Sequence, residues 1–174
     1  AHERAVLKDA RTVFEGKRIL VVDDQVFLRK STRAMLDGLG AHIDEAQNGT
    51  AAIAMMAHSR YDLVLMDLNM PPLDGYAAAE QIRHGAAAGQ SDVPIVAYTS
   101  EPAYMAHVKT QKVGMNGYVS KPCTRVELVK ALQGALGAAA GQAQAKARAA
   151  HALTGKTILV VDDSPQNRKI VKAY

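Results

Sequence analysis

The chain has no tryptophan, two Phe and six Tyr, so its core must be built mainly from Ala, Val, Leu and Met. A single cysteine, Cys123, excludes an internal disulfide and suits a reducing cytoplasm. No apolar run approaches a membrane span, and the opening Ala1-His2-Glu3-Arg4 lacks the shape of a signal peptide. A one-signed charge surface is also missing where a nucleic-acid reader needs one. Residues 16–137 carry 12 basic and 12 acidic side chains, residues 1–15 three of each, and residues 138–174 six basic and two acidic. The net charge of +4 therefore belongs to the C-terminal stretch, and neither nucleic acid nor membrane is expected as a partner. The six histidines, His2, His42, His58, His84, His107 and His151, show no metal-ligand spacing, and His151 lacks the amphipathic bundle that a phosphodonor needs.

What is present centres on residues 63–75, Leu-Val-Leu-Met-Asp-Leu-Asn-Met-Pro-Pro-Leu-Asp-Gly. Four apolar residues in a row read as a strand buried on both faces, the kind found in parallel sheets. The run ends on Asp67, and Pro71, Pro72 and Gly75 make the turn that follows. Similar strands are expected at residues 19–22, ending on Asp23-Asp24, and at residues 95–98, ending on Thr99-Ser100. Shorter ones are expected at residues 42–46 and 118–120, the latter ending on Lys121-Pro122. Helical patterns separate them, including one over residues 75–84, one over 104–113 and a last one over 125–136. Five alternations predict an α/β, flavodoxin-like, doubly wound parallel sheet in the order 2-1-3-4-5, with helices on both faces. The first and third strands then flank the switch point, so Asp23, Asp24 and Asp67 face one crevice.

The ends of the chain read differently. Residues 1–15 form a short helical or linking lead-in, and residues 138–153 form an Ala-rich, partly helical linker with no apolar face to bury. Residues 155–163 then repeat residues 16–24 with Thr157 in place of Arg18, so residues 154–174 read as the truncated start of a second copy of the domain at 16–137. The strand at residues 158–161 has no sheet of its own. It is expected to dock on a sheet edge or to swap into a second copy, giving a strand-swapped homo-oligomer.

Three carboxylates in one crevice repel one another, and a divalent cation removes the conflict. Oxygen-only ligands with room for water and phosphate suit Mg²⁺. Asp67 is then the nucleophile that forms an acyl phosphate, with Lys121 as a point charge and Thr99 as a hydroxyl donor for a phosphoryl oxygen. Ser100 is small enough to leave a path to Asp67. Taken singly, each piece has a plainer role: the acidic pair and Thr99-Ser100 as helix caps, Asp67 as a turn residue, Lys121 as a solvated charge, Tyr118 as a half-buried strand aromatic, Cys123 as an inert thiol. Their convergence on one edge of one sheet, in chain order, favours the joint reading.

Asp23-Asp24, Asp67 with Asn69-Met70-Pro71 and Asp74-Gly75, Thr99-Ser100 and Lys121-Pro122 together resemble the response-regulator receiver domain of two-component signalling, over residues 16–137. The resemblance implies that Asp67 accepts phosphate from a phosphohistidine. It implies that Mg²⁺ is held by Asp24, Asp67 and the Asn69 backbone carbonyl, with Asp23 acting through water. Thr99 and Lys121 contact the phosphoryl group, the Lys121-Pro122 bond is cis, and Tyr118 is the switch aromatic that turns inward with Thr99. The partner is then a histidine kinase or a histidine phosphotransfer protein. Two departures stand out: Cys123 replaces the Phe that commonly follows Lys-Pro, and Tyr98 is large enough to narrow the space into which Tyr118 turns.

Tandem receivers resemble the C-terminal part of a hybrid histidine kinase, with a multi-receiver response regulator as the alternative. A reading from another class is an aspartyl-phosphate Mg²⁺ phosphatase. Such an enzyme needs an acid/base carboxylate two residues beyond its nucleophile, and Asn69 stands there. A non-phosphorylated interaction module is the third reading, which nothing in the sequence favours. Self-phosphorylation and self-dephosphorylation are the most catalysis expected of the domain itself.

Overall fold

The computed structural model describes residues 2–153. The repeat at residues 154–174, and with it the docking or swapping of its strand, lies outside the described residues. The described elements run α1 (His2–Phe14), β1 (Arg18–Val22), α2 (Val26–Leu36), β2 (His42–Ala46), α3 (Gly49–His58), β3 (Leu63–Asp67), α4 (Gly75–Gln81), β4 (Ile95–Thr99), α5 (Ala103–Lys112), β5 (Gly117–Ser120) and α6 (Arg125–Leu153). All five strands are parallel and lie in the order β2-β1-β3-β4-β5, the expected doubly wound sheet. Among the described residues no helix is long and apolar enough to cross a membrane.

The three inner strands carry the near-continuous apolar runs, because each is covered on both faces: every residue of β3 and of β4 is buried. On one face, Leu20, Val64, Met66 and Ile95 meet Ala52 and Met56 of α3 and Ala78 and Ala79 of α4. On the other, Ile19, Leu65 and Val96 meet Leu36 of α2 and Leu128, Val129 and Leu132 of α6. The lead-in belongs to this second layer. α1 places Ala10 and Phe14 at zero exposure against the sheet face that α2 and α6 also cover. The sequence showed only loosely spaced apolar residues here, and contact with the rest of the domain decides the role.

Local chemistry fixes the helix starts. The Asn48 side chain accepts from the Ala51 amide at 2.8 Å and caps α3, and Asp74 accepts from the Ala77 amide at 2.7 Å and caps α4. Thr124 and Glu127 form a reciprocal box at the start of α6, and the bonds donated by the Thr124 amide and hydroxyl hold the Glu127 carboxyl below the usual range. α6 does not stop near Leu136. It continues through Gly137 to Leu153, over the Ala-rich stretch expected to be a partly helical linker. The helix expected over residues 75–84 ends its regular part at Gln81 and widens into a π-type turn at Ile82–Ala86, with Gly85 at φ 96°.

Between β3 and α4 the chain doubles back tightly over Asp67. Leu68 and Met70 are buried, and both Pro71-Pro72 and Lys121-Pro122 are cis. A Cβ on Gly75 would collide with the Asp67 carbonyl oxygen and crowd Leu68, so only glycine lets α4 begin this close to the strand end.

Candidate functional site

The carboxyl ends of β1, β3, β4 and β5 form one edge, and the residues singled out in the sequence arrive there in chain order. Asp23 follows β1 and is almost fully buried, Asp24 next to it is exposed, and Asp67 ends β3 at 5% exposure. One oxygen from each of the three carboxylates lies within 4.8 Å of the others. Thr99 ends β4 and is wholly buried, and Lys121 follows β5.

Lys121 is the cation inside this cluster. Its ammonium donates to Asp23 Oδ2 at 2.6 Å and lies 3.3 Å from Asp67 Oδ2. The other Asp23 oxygen accepts from the Gln25 amide at 2.8 Å. Burial pushes the Asp67 carboxyl above the ordinary carboxylate range, the Lys121 charge draws it back, and the Asp23 charge pushes it up again. The three acids outnumber the Lys121 ammonium, and the Arg29 guanidinium that donates to the Asp23 carbonyl at 2.7 Å is paired with Glu45, so negative charge is in excess in a partly buried place. An all-oxygen donor set of this kind fits a hard divalent cation such as Mg²⁺.

An open cleft of about 500 Å³ leads from this edge, lined by Asp67, Asn69, Ser100 and Lys121 on its polar side and by Leu28, Met35 and Pro122 on its apolar side. Ser100 is exposed, and its small side chain leaves Asp67 open to the cleft. The Asn69 amide points back to Asp67 Oδ1 at 3.4 Å.

Thr99 Oγ1 accepts from the Glu101 amide at 3.0 Å, and the Glu101 carboxylate in turn accepts from Tyr76 Oη at 3.0 Å and pairs with Lys109 at 3.3 Å. Tyr118 is half-buried, and its ring meets His107 of α5 edge-on, with centroids 6.1 Å apart. The strand register corrects the expectation about Tyr98. Tyr118 aligns with Ala97, whereas Tyr98 aligns with Val119 and packs with the opposite layer, so Tyr98 does not narrow the space beside Tyr118.

Sequence reasoning missed what Tyr98 does touch. The Lys121 ammonium lies 4.8 Å from the Tyr98 ring centroid, and Cys123 Sγ lies 3.6 Å from the Tyr98 hydroxyl. Burial raises the Tyr98 hydroxyl above its ordinary range, and the bond to Cys123 adds to the rise. The signal was the parity of residues 98, 119 and 121 across neighbouring strands, which puts them on one side.

A family profile for the response regulator receiver domain matches residues 19–133. Among curated proteins, the chain is 35% identical to probable histidine kinase 4 of Oryza sativa subsp. japonica, over 70% of this chain and 14% of that protein. It is 38% identical to the transcriptional regulatory protein ResD of Bacillus subtilis, over 64% of this chain and 45% of that protein. The chain thus spans less than half of either relative's length. Among solved structures it resembles the receiver domain of a sensor histidine kinase from Pseudomonas aeruginosa, described with a magnesium ion coordinated in its active-site cleft. That likeness has a TM-score of 0.63 and 36% identity, covering 70% of this chain and 98% of the other. The chemotaxis protein CheY4 of Vibrio cholerae also matches, at a TM-score of 0.63 and 28% identity, covering 68% and 97%. The profile, the relatives and the sheet order agree that this chain belongs to the response regulator receiver domain family of two-component systems.

Proposed function

We propose that this chain is the phosphoacceptor of a two-component relay, taking a phosphoryl group from a phosphohistidine onto Asp67. The observation that carries the reading is the buried Asp67 carboxylate at the end of β3, beside two further acids and within 3.3 Å of the Lys121 ammonium. An Asp67 oxygen attacks phosphorus, the P–N bond to the donor imidazole breaks, and that nitrogen leaves with the bonding pair. Lys121 neutralises the charge that Asp67 and the incoming phosphoryl oxygens bring together. The Thr99 hydroxyl donates to a phosphoryl oxygen, which takes it away from the Glu101 amide and frees Tyr118 to turn inward.

The residues present fit Mg²⁺. Asp24, Asp67 and the Asn69 carbonyl would hold it, with Asp23 acting through water, and when bound it supplies positive charge to the phosphoryl oxygens. The exposure of Asp24 supports a direct role, whereas Asp23 is already engaged by Lys121 and Gln25.

The donor is a histidine kinase or a histidine phosphotransfer protein. A hybrid sensor kinase as the parent chain is supported by the likeness to kinases from rice, and to the autoinducer sensor kinase/phosphatase CqsS of Vibrio cholerae at 34% identity. The phosphatase reading is disfavoured by Asn69, whose amide cannot shuttle the proton that turnover needs. The test is uptake of radiolabel from a phosphohistidine donor with Mg²⁺. The wild-type chain labels and Asp67→Asn does not; equal labelling of the two overturns the reading.

A further inference from the structure

Lys121 has three neighbours in the site, and two of them are the carboxylates that the proposed chemistry recruits. Asp67 would face a divalent cation directly and carry the phosphoryl group, and Asp23 would face the cation through water. The third neighbour is the Tyr98 ring, at 4.8 Å from the ammonium, within the range where the negative face of an aromatic attracts a cation. A ring face competes for neither the metal nor the phosphoryl group. Of the three, it is the contact that the recruitment of the acids leaves unclaimed.

The fold fixes this ring firmly. Tyr98 lies in the inner strand β4, paired in register with Asp67 on one side and Val119 on the other, and is 6% exposed. Its hydroxyl end meets Cys123, two residues beyond Lys121, so one short loop touches both the face and the tip of the ring. A Phe at position 123, with no polar atom, could not make the contact to the tip.

We propose that Tyr98 is a positioning residue for phosphoryl loading, its ring face holding the Lys121 ammonium over the acceptor when Asp23 and Asp67 are occupied. This rests on the phosphoacceptor reading, and the experiment separates the two. The rate of hydroxylamine-labile labelling from acetyl phosphate with Mg²⁺ is compared in wild type, Tyr98→Phe, Tyr98→Leu, Lys121→Ala and the Tyr98→Leu/Lys121→Ala double variant. Loss of the ring slows loading roughly 2- to 30-fold, the span of a cation–π contact from exposed to desolvated. Tyr98→Phe, which keeps the face, restores most of the rate. In the Lys121→Ala background Tyr98→Leu has no further effect.

A second readout does not depend on turnover. Proton NMR shows the Lys121 ε-methylene shifted upfield by the ring in wild type and in Tyr98→Phe, with and without Mg²⁺, and unshifted in Tyr98→Leu. If Tyr98→Leu fails to fold, Tyr98→Met fills similar volume without a ring and takes its place. The proposal is overturned if loss of the ring leaves the rate unchanged, slows loading equally with Lys121 removed, or leaves the methylene shift in place. Labelling of Asp67→Asn at the wild-type rate instead removes the phosphoacceptor reading itself.

Discussion

Lys121 Nζ sits 2.6 Å from Asp23 Oδ2, closer than the 3.3 Å that separates it from the proposed acceptor, Asp67. Lys121 and Asp23 therefore form an ion pair between the last strand end and the first, with the acceptor beside it. Asp23 is almost fully buried, so its other stabilising contact, the Gln25 amide, must carry the carboxylate alone if Lys121 is removed.

Lys121→Met consequently destabilises the domain by about 2 to 4 kcal/mol in chelator, since it leaves a buried charge short of a partner. The same change removes a cation that competes for the site. Mg²⁺ binds Lys121→Met more tightly than wild type and restores a larger part of its stability. Urea melts with and without Mg²⁺ check both statements, and equal midpoints for wild type and variant in chelator contradict the account.

The Asp67 carboxyl is held above its ordinary range, chiefly by burial. A carboxyl whose folded pKa exceeds its unfolded one adds stability at low pH, and that stability is lost as pH rises through the folded value. At neutral pH the ionised Asp67 thus costs the metal-free fold. Asp67→Asn removes the cost, so in chelator the variant melts above wild type near pH 7, and the gap closes towards about pH 4. Mg²⁺ raises the melting temperature of wild type far more than that of the variant. A gap that widens on acidification would carry the wrong sign.

α1 supplies the third prediction. Phe14 has no exposure and packs in the layer under β1 and β3, so Phe14→Ala costs about 3 to 5 kcal/mol, the range for truncating a buried aromatic. Chemical denaturation measures it. A cost below about 1 kcal/mol would mean that residues 2–14 are a mere lead.

Much of this was legible in the sequence, for stated reasons. The inner strands announce themselves as apolar runs because both of their faces are covered, and each ends on a polar residue where the chain leaves the sheet. Those endings, Asp23-Asp24, Asp67, Thr99 and Lys121, mark the edge in the sequence itself. Contacts set by tertiary packing were not legible. Phe14 and Ala10 look like loosely spaced helix residues until α1 is laid on the sheet. Gln90, in a small polar loop, receives the Tyr61 amide and donates to the Met56 carbonyl, bonds that no local pattern encodes. Tyr98 stands out for its size, but which face it occupies depends on how β4 and β5 register, and that register puts it on the face opposite Tyr118. The last helix reads as ending at residue 136, yet nothing lies within 4 Å of where a Gly137 Cβ would be and Ala-rich sequence follows, so the helix runs through it.

The central claim is that one carboxylate, Asp67, takes the phosphoryl group. An acyl phosphate is reduced by borohydride to an alcohol, which turns the aspartate that carried it into homoserine. The measurement is peptide mapping of the chain after loading from a phosphohistidine donor and reduction, with and without Mg²⁺. The account predicts homoserine at position 67, formed only when Mg²⁺ is present. Homoserine at position 23 or 24, or none anywhere in a chain that has taken up label, would contradict it.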